Sequence, residues 1–316
     1  MWWVNEVARI AIDDGVAYVA WPERGGEARS VRLDGAMLRD VRTRGGMRPV
    51  VGDWVEVSPD GIVLSLRPRR TRLARRAAGG QDVEQVIAAN VDLAFVATAA
   101  DGDVNERRLE RYLALVRDGG VQPVILLTKA DLCPDLGVER ARVRSVAPGV
   151  DIVAVSAETG EGLAEVARRI AHGPHQRAPR GACVAALLGS SGVGKSTLVN
   201  RLLGETRQRV GDLRGDGKGR HTTTRREMVT LPGGGMLLDM PGMRELGLID
   251  AGDGLEKAFA EVSALAERCR FGDCRHEEEP GCAVRSALEE GTIDAQRLAS
   301  WRKLGEEIGA RSKRRR

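Results

Sequence analysis

Eight consecutive residues carry the plainest chemistry in this chain: Gly189, Ser190, Ser191, Gly192, Val193, Gly194, Lys195 and Ser196, which read G-x-x-x-x-G-K-S. An apolar run at 183–188 precedes them, and T-L-V-N-R-L-L at 197–203 follows with helical spacing. Strand, glycine loop and helix form the context in which such a loop holds phosphate. The glycines let backbone N–H groups turn inward around a phosphate chain, at a helix N-terminus that already favours anions. Lys195 would reach the outer phosphates, Thr197 would join the nucleotide contacts, and the Ser196 hydroxyl would be a Mg²⁺ ligand.

A second constellation lies near the C-terminus, where Cys269, Cys274, His276 and Cys282 sit within fourteen positions. Three thiolates and one imidazole make a closed tetrahedral site, so one structural Zn²⁺ per chain is expected. Closed coordination leaves no position for water, which assigns the metal to folding and not to catalysis. Cys133 and Cys183 fit neither constellation and read as core thiols.

The elements that must position these groups follow from periodicity. From residue 91 strands alternate with helices, the pattern of a parallel α/β sheet. Residues 91–97, 124–127 and 152–155 are apolar strand-like runs, and 105–118 carries Leu109, Tyr112, Leu113 and Val116 on one helical face. Before residue 76 the chain reads as short strands at 17–21, 54–57 and 62–66, separated by turn signals such as Pro59-Asp60-Gly61. That density of strands suggests a small barrel, of which the OB-fold is the common nucleic-acid binder. Trp2, Trp3, Trp21 and Trp54 fall in this region, Trp54 being expected in the barrel core. Residues 294–308 read as an amphipathic helix ahead of a basic tail.

Composition bounds the partners. Net charge is only +4, but residues 67–76 hold six arginines and no acid, and the chain ends R-S-K-R-R-R; such clusters suit a polyanion. No apolar run reaches the length of a membrane span, and the N-terminal residues lack a secretory signal pattern. Five cysteines in 316 residues do not make a disulfide framework and fit a reducing cytoplasm.

Thr128, Lys129, Ala130 and Asp131, at the end of the run 124–127, resemble the guanine-reading N-K-x-D motif of GTPases. A carboxylate there accepts from guanine N1–H and the 2-amino group, and adenine would leave it unpaired, a discrimination of about 10⁴ or more. Thr128 stands where the family has Asn, so bracing of the phosphate loop is expected to be weaker. Ser156 and Ala157 fit the following motif, whose backbone N–H meets the base carbonyl. The polar stretch 204–226 contains G-R-H-T-T-T, in which one of Thr222, Thr223 and Thr224 (Thr223 as the assignment) closes on Mg²⁺ and the γ-phosphate. Asp239-Met240-Pro241-Gly242 resembles D-x-x-G, with Asp239 behind Mg²⁺ and the Gly242 N–H on the γ-phosphate.

An ordinary GTPase places its phosphate loop first; here T-K-A-D and S-A precede it, a circular permutation. With G-R-H-T-T-T, the Q-V-I-A-A-N-V-D stretch, G-D-W-V and the cysteine pattern, the chain resembles the RsgA (YjeQ) family of small-subunit-dependent GTPases. The resemblance implies a multidomain architecture: an OB-fold β-barrel at 1–78 that binds RNA, a circularly permuted α/β GTPase at 79–250, and a mainly helical zinc domain at 251–316. It further implies late maturation of the small ribosomal subunit, with GTP/GDP, that subunit and its rRNA as partners, and no membrane. A cytoplasmic monomer is expected. Met243 follows D-x-x-G and cannot orient water, which leaves His221 as the catalytic candidate. The competing reading is a P-loop nucleotide-dependent RNA-binding protein without subunit-stimulated hydrolysis.

Overall fold

The structure is a computed structural model that describes residues 6–13, 18–22, 27–44, 47–76, 84–102, 104–173, 183–190, 192–204, 226–239, 259–272 and 274–312. Five strands, β1 (Glu6–Asp13), β2 (Tyr18–Pro22), β3 (Arg29–Leu33), β4 (Trp54–Val57) and β5 (Ile62–Leu66), pair in the order β1-β2-β3-β5-β4, and β4 pairs back on β1. This closed five-stranded barrel has the OB-fold strand order, with helix α1 (Gly35–Arg44) between β3 and β4. Closure removes the sheet edges that would otherwise recruit foreign strands. Alternation on β4 sends Val55 and Val57 inward to meet Ile10, Tyr18, Val31 and Val63. Trp54 therefore faces outward instead of filling the barrel. It is half-buried, and the Arg9 guanidinium lies 4.9 Å from its ring centroid.

Beyond the hairpin β6 (Arg72–Arg76) and β7 (Glu84–Ala89), the α/β sheet runs β10-β9-β8-β11-β13-β12. Its strands are β8 (Leu93–Ala99), β9 (Gln122–Thr128), β10 (Asp151–Ala154), β11 (Val184–Gly189), β12 (Arg226–Thr230) and β13 (Met236–Asp239). All are parallel except β12, which also pairs antiparallel with β1 and so joins the barrel to the sheet. Both faces are covered, as an apolar strand without alternation requires. Phe95, Ala97 and Leu126 pack under α4 (Leu163–His172) and α5 (Lys195–Leu203). Ala94, Val96, Ile125 and Leu127 pack under α2 (Glu106–Asp118) and α3 (Leu136–Val146). Asn105 caps α2 by accepting from the Arg108 N–H at 2.9 Å, an arrangement worth about 1 kcal/mol.

The barrel is riveted to this sheet at Gly52, Asp53 and Asn90. Gly52 adopts φ +91°, and a Cβ there would stand 2.0 Å from the Ala89 carbonyl oxygen, so only glycine fits. Asn90 Nδ2 donates to the Gly52 carbonyl at 3.0 Å, while its Oδ1 accepts from the Arg70 N–H at 3.0 Å. Asp53, fully buried, takes both arms of Arg69 at 2.8 and 2.7 Å. Arg9 donates to the Asn90 carbonyl at 3.0 Å, and burial pulls its pKa down to about 10, still protonated at neutrality. The arginine run is thus locally free of acids in sequence but not in space. Arg67 meets Glu56, Arg69 meets Asp53, Arg70 meets Asp92 and Arg72 meets Asp118. Arg69, at 13% side-chain exposure, is committed to the seam and does not face a polyanion.

The C-terminal helices α6 (Ala260–Ala266), α7 (Ala283–Glu289) and α8 (Ala295–Ser312) extend the α2-side core through Phe259, Val262, Val284, Leu298 and Leu304. Arg297 on α8 enters that core. It donates to Glu110 of α2 at 3.0 Å, to the Val146 carbonyl at 2.8 Å and to Glu261 at 2.7 Å, and lies 4.0 Å over the Phe259 ring. Burial pushes the Glu110 carboxyl pKa up, and Arg297 opposes that shift. Such a pair adds little net stability, yet losing one partner alone costs about 3–5 kcal/mol. Among the described residues no helix is long and apolar enough to cross a membrane.

Candidate functional site

The C-terminal ends of β8, β9, β10, β11 and β13 share one edge of the sheet, where open α/β folds bind ligands. Gly189 ends β11 at φ +146°, with a would-be Cβ 2.5 Å from the Ala97 carbonyl oxygen of neighbouring β8. Only a glycine lets the chain leave the sheet so closely beside its neighbour. Gly192 and Gly194 also have positive φ, and Lys195 then opens α5. Lys195 Nζ donates to the Gly189 carbonyl at 2.8 Å and to that of Ser190, arching over the loop from within. Ser196 and Thr197 are exposed in the first turn of α5.

The T-K-A-D residues follow directly from the end of β9. Thr128 is buried, and its hydroxyl lies 2.7 Å from the Val193 carbonyl oxygen of the phosphate loop and 3.2 Å from that of Thr98. The threonine therefore does reach the loop, through one hydroxyl proton. Lys129 takes the left-handed conformation at φ 55° and pairs with Asp101 at 2.7 Å. That turn starts the short 3₁₀ segment Ala130–Leu132, which carries Asp131 exposed on the pocket wall. After β10, Ser156 is fully buried; its N–H donates to the Glu161 carbonyl at 3.0 Å and its Oγ accepts from the Thr159 N–H at 3.1 Å. This tight turn presents Ala157 beside the T-K-A-D segment.

Together these residues enclose a pocket of about 320 Å³ lined by Thr128, Lys129, Asp131, Ala157, Gly194 and Thr197 among others. A pocket with mostly apolar walls and the Asp131 carboxylate among its lining residues suits a flat heterocycle with adjacent donors. Asp239 ends β13, parallel to β11, so its backbone stands at the same sheet edge. Ser191, His221, Thr222, Thr223, Thr224 and Gly242 lie outside the described residues, as does Met243.

Two arginines reach this site that no motif announced. Arg108 of α2 donates to Ser190 Oγ at 2.5 Å. Arg201, in the last turn of α5, donates to the carbonyls of Ala157 and Glu158, both at 2.6 Å. Neither had a signal in the sequence, because an arginine on a helix of an arginine-rich chain looks like a solvated face.

Cys269, Cys274, His276 and Cys282 do converge, their ligand atoms all lying within 4.8 Å of one another. The Cys269 and Cys282 sulfurs are 3.8 Å apart, and each is 3.4 Å from His276 Nδ1. A zinc tetrahedron with Zn–S of about 2.3 Å and Zn–N of about 2.0 Å demands separations of about 3.8 and 3.5 Å. The donor set therefore fits such a metal. Burial lowers the His276 pKa, favouring the neutral imidazole that a ligand must be, and its ring lies 5.3 Å from that of Trp301. Glu279 closes the loop between His276 and Cys282 by accepting from the N–H groups of Arg275, Glu277 and Glu278. Those bonds, Arg275's first, hold its carboxyl down at about 2. Cys282 also caps α7 by accepting from the Arg285 N–H at 3.4 Å. Cys183 is buried apart from this cluster, and burial raises its thiol to about 12, as fits an inert core position.

Comparison with known proteins agrees with this geometry. A family model described as RsgA GTPase matches residues 66–249. The chain is 45% identical over 315 residues to the small ribosomal subunit biogenesis GTPase RsgA of Opitutus terrae, covering 95% of this chain and 83% of that protein. To the protein of the same name from Streptomyces coelicolor it is 46% identical over 290 residues, covering 88% and 76%. Among solved structures it is similar in fold to YjeQ from Thermotoga maritima, with TM-score 0.69 at 23% identity over 96% of this chain and 99% of that one. It is also similar to YloQ, a circularly permuted GTPase, with TM-score 0.65 at 24% identity over 98% and 96%.

Proposed function

The chain belongs to the RsgA GTPase family, and from that premise we propose that it hydrolyses GTP while docked on the small ribosomal subunit, late in that subunit's maturation. The observation that carries the nucleotide assignment is the joining of the two half-sites, with the Thr128 hydroxyl 2.7 Å from the Val193 carbonyl oxygen beside a pocket lined in part by Asp131. In this reading Asp131 takes guanine N1–H and the 2-amino group, and Ala157 N–H meets the base carbonyl. The loop from Gly189 to Gly194 and Lys195 cradle the phosphates. Ser196 and Thr223 supply hard oxygen donors that suit Mg²⁺, with the Asp239 carboxylate behind the ion, which would neutralise charge developing between the phosphates. Residues 1–78 and 251–316 are the docking domains on either side of the GTPase at 79–250, with zinc held by the Cys269, Cys274, His276 and Cys282 set. The protein acts as a monomer in the cytoplasm.

His221 is assigned to orient or deprotonate the attacking water once docking fixes its loop, a role suited to an imidazole near neutrality. The test is GTP turnover with purified small subunits, large subunits and neither. Turnover should rise only with small subunits, and His221→Ala should keep nucleotide and subunit affinity while losing about 10²-fold of the stimulated rate. Equal turnover under all three conditions favours a nucleotide-dependent RNA-binding protein without stimulated hydrolysis. Stimulated turnover that survives His221→Ala removes His221 from the chemistry.

A further inference from the structure

We infer that Arg201 is a positioning residue for the base-reading turn, and that it makes guanine recognition depend on the helix that holds the phosphates. The inference rests on the guanine-nucleotide reading above and adds to it a group outside every motif. Ala157 sits between two peptide groups, and each is held from a different side. The Ser156 carbonyl accepts from the Gly160 N–H at 2.9 Å, within the turn itself. The Ala157 and Glu158 carbonyls accept from Nε and Nη2 of Arg201, both at 2.6 Å. A planar fork that meets two successive carbonyls fixes their direction as a single point charge cannot. Gly160 orients the peptide that carries the Ala157 N–H, and Arg201 on α5 fixes the two peptides that follow, which anchors Ala157 from its C-terminal side.

The placement on α5 gives the contact its meaning. Lys195 opens this helix and Arg201 stands six residues on, about 9 Å along the axis at 1.5 Å per residue. One rigid element therefore bonds the phosphate loop at its start and the base turn near its end. Another tie between the half-sites is Thr128, whose single hydroxyl proton is shared by two carbonyls at 2.7 and 3.2 Å. A hydroxyl has one proton to give, whereas Arg201 makes two charge-assisted bonds.

The test compares wild type with Arg201→Ala and Arg201→Lys, using GDP, inosine diphosphate and 6-thioguanosine diphosphate in direct titrations. The thio analogue keeps N1–H and the 2-amino group but weakens the acceptor that Ala157 N–H would meet; inosine loses only the 2-amino group. Arg201→Ala should weaken GDP binding about tenfold and bring the GDP to 6-thio-GDP preference close to unity. The GDP to inosine diphosphate preference, which reports Asp131, should not move. For GTP turnover KM should rise with kcat unchanged, because binding that is equal in ground and transition states is what has been lost. Arg201→Lys, with a point-charge ammonium in place of a planar fork, should fall between. Arg201 is exposed, so thermal melting should show all three proteins folded alike. A wild type that prefers GDP over 6-thio-GDP, alongside an Arg201→Ala variant with the same ratio, overturns this inference and leaves the guanine reading standing. A wild type indifferent to the base overturns both.

Discussion

Asp131→Asn is expected to exchange the base that the protein binds: GTP affinity falls by about 10²-fold or more, and xanthosine triphosphate gains in proportion. The residue lies at the centre of the segment Ala130–Leu132, started by the left-handed turn at Lys129, and it is exposed on the wall of the pocket. A carboxylate offers two acceptors side by side, which match the adjacent N1–H and 2-amino donors of guanine. The asparagine amide offers one acceptor and one donor, the pair complementary to xanthine N1–H and O2. Against guanine the new amide sets donor against donor, and one group on each side loses its partner. The side chains have nearly the same shape, so the fold should not change, and the Thr128 tie to Val193 lies outside the substitution. Titration with GDP and xanthosine diphosphate reads the exchange directly. An unchanged GDP affinity would remove Asp131 from base recognition, and a loss without any gain for xanthosine would mean that the turn itself had shifted.

How far the site could be read from sequence follows from how local its parts are. The phosphate loop, the T-K-A-D turn and the S-A turn are each contiguous, and each starts where an apolar strand ends, so spacing alone placed them on one sheet edge. The strands at 54–57 and 62–66 fall where turn signals bracket them. Strand β1 had no such signature, because its burial runs unbroken from Ala8 to Asp13 between β2, β4 and β12. Helix α1 was missed too, its sequence G-A-M-L-R-D-V-R-T-R presenting only a sparse apolar face. The contacts of Arg108 and Arg201 join residues 82 and 44 positions apart in sequence, and no period encodes such a pairing. The arginine run of residues 67–76 shows the same limit in reverse. Its charge was legible, but the acids that meet four of its six arginines come from β4, the turns preceding β4 and β8, and the end of α2.

Removing zinc is expected to dismantle the C-terminal helices while sparing the nucleotide site. Of the three described helices after residue 258, α6 and α7 have only seven residues each, and isolated helices under about twelve residues are marginal in water. Their order must come from packing and from the cluster that ties Cys269 and Cys274 to His276 and Cys282, the last being also the cap of α7. His276 adds strain, holding φ 61° without being glycine, a conformation that persists only where surroundings enforce it. Structural zinc contributes about 10–16 kcal/mol of apparent binding energy in small domains, and that energy is folding energy. Elemental analysis should find one zinc per chain. Chelation or Cys274→Ala should lower helical ellipticity and the thermal midpoint, while GDP affinity should stay within about twofold, since no described residue after 258 lines the base pocket. Cys274→His, which keeps four ligands of zinc-binding type, should retain metal and most of the stability. The loss should also reach α2, because Glu110 is buried there at 1% exposure and is paired with Arg297 from α8. With that helix displaced, Glu110 would lose its partner and gain water, relieving the burial that raises its carboxyl pKa. A metal-free protein whose melting is unchanged, or a metal-replete preparation without zinc, would overturn the assignment of these ligands.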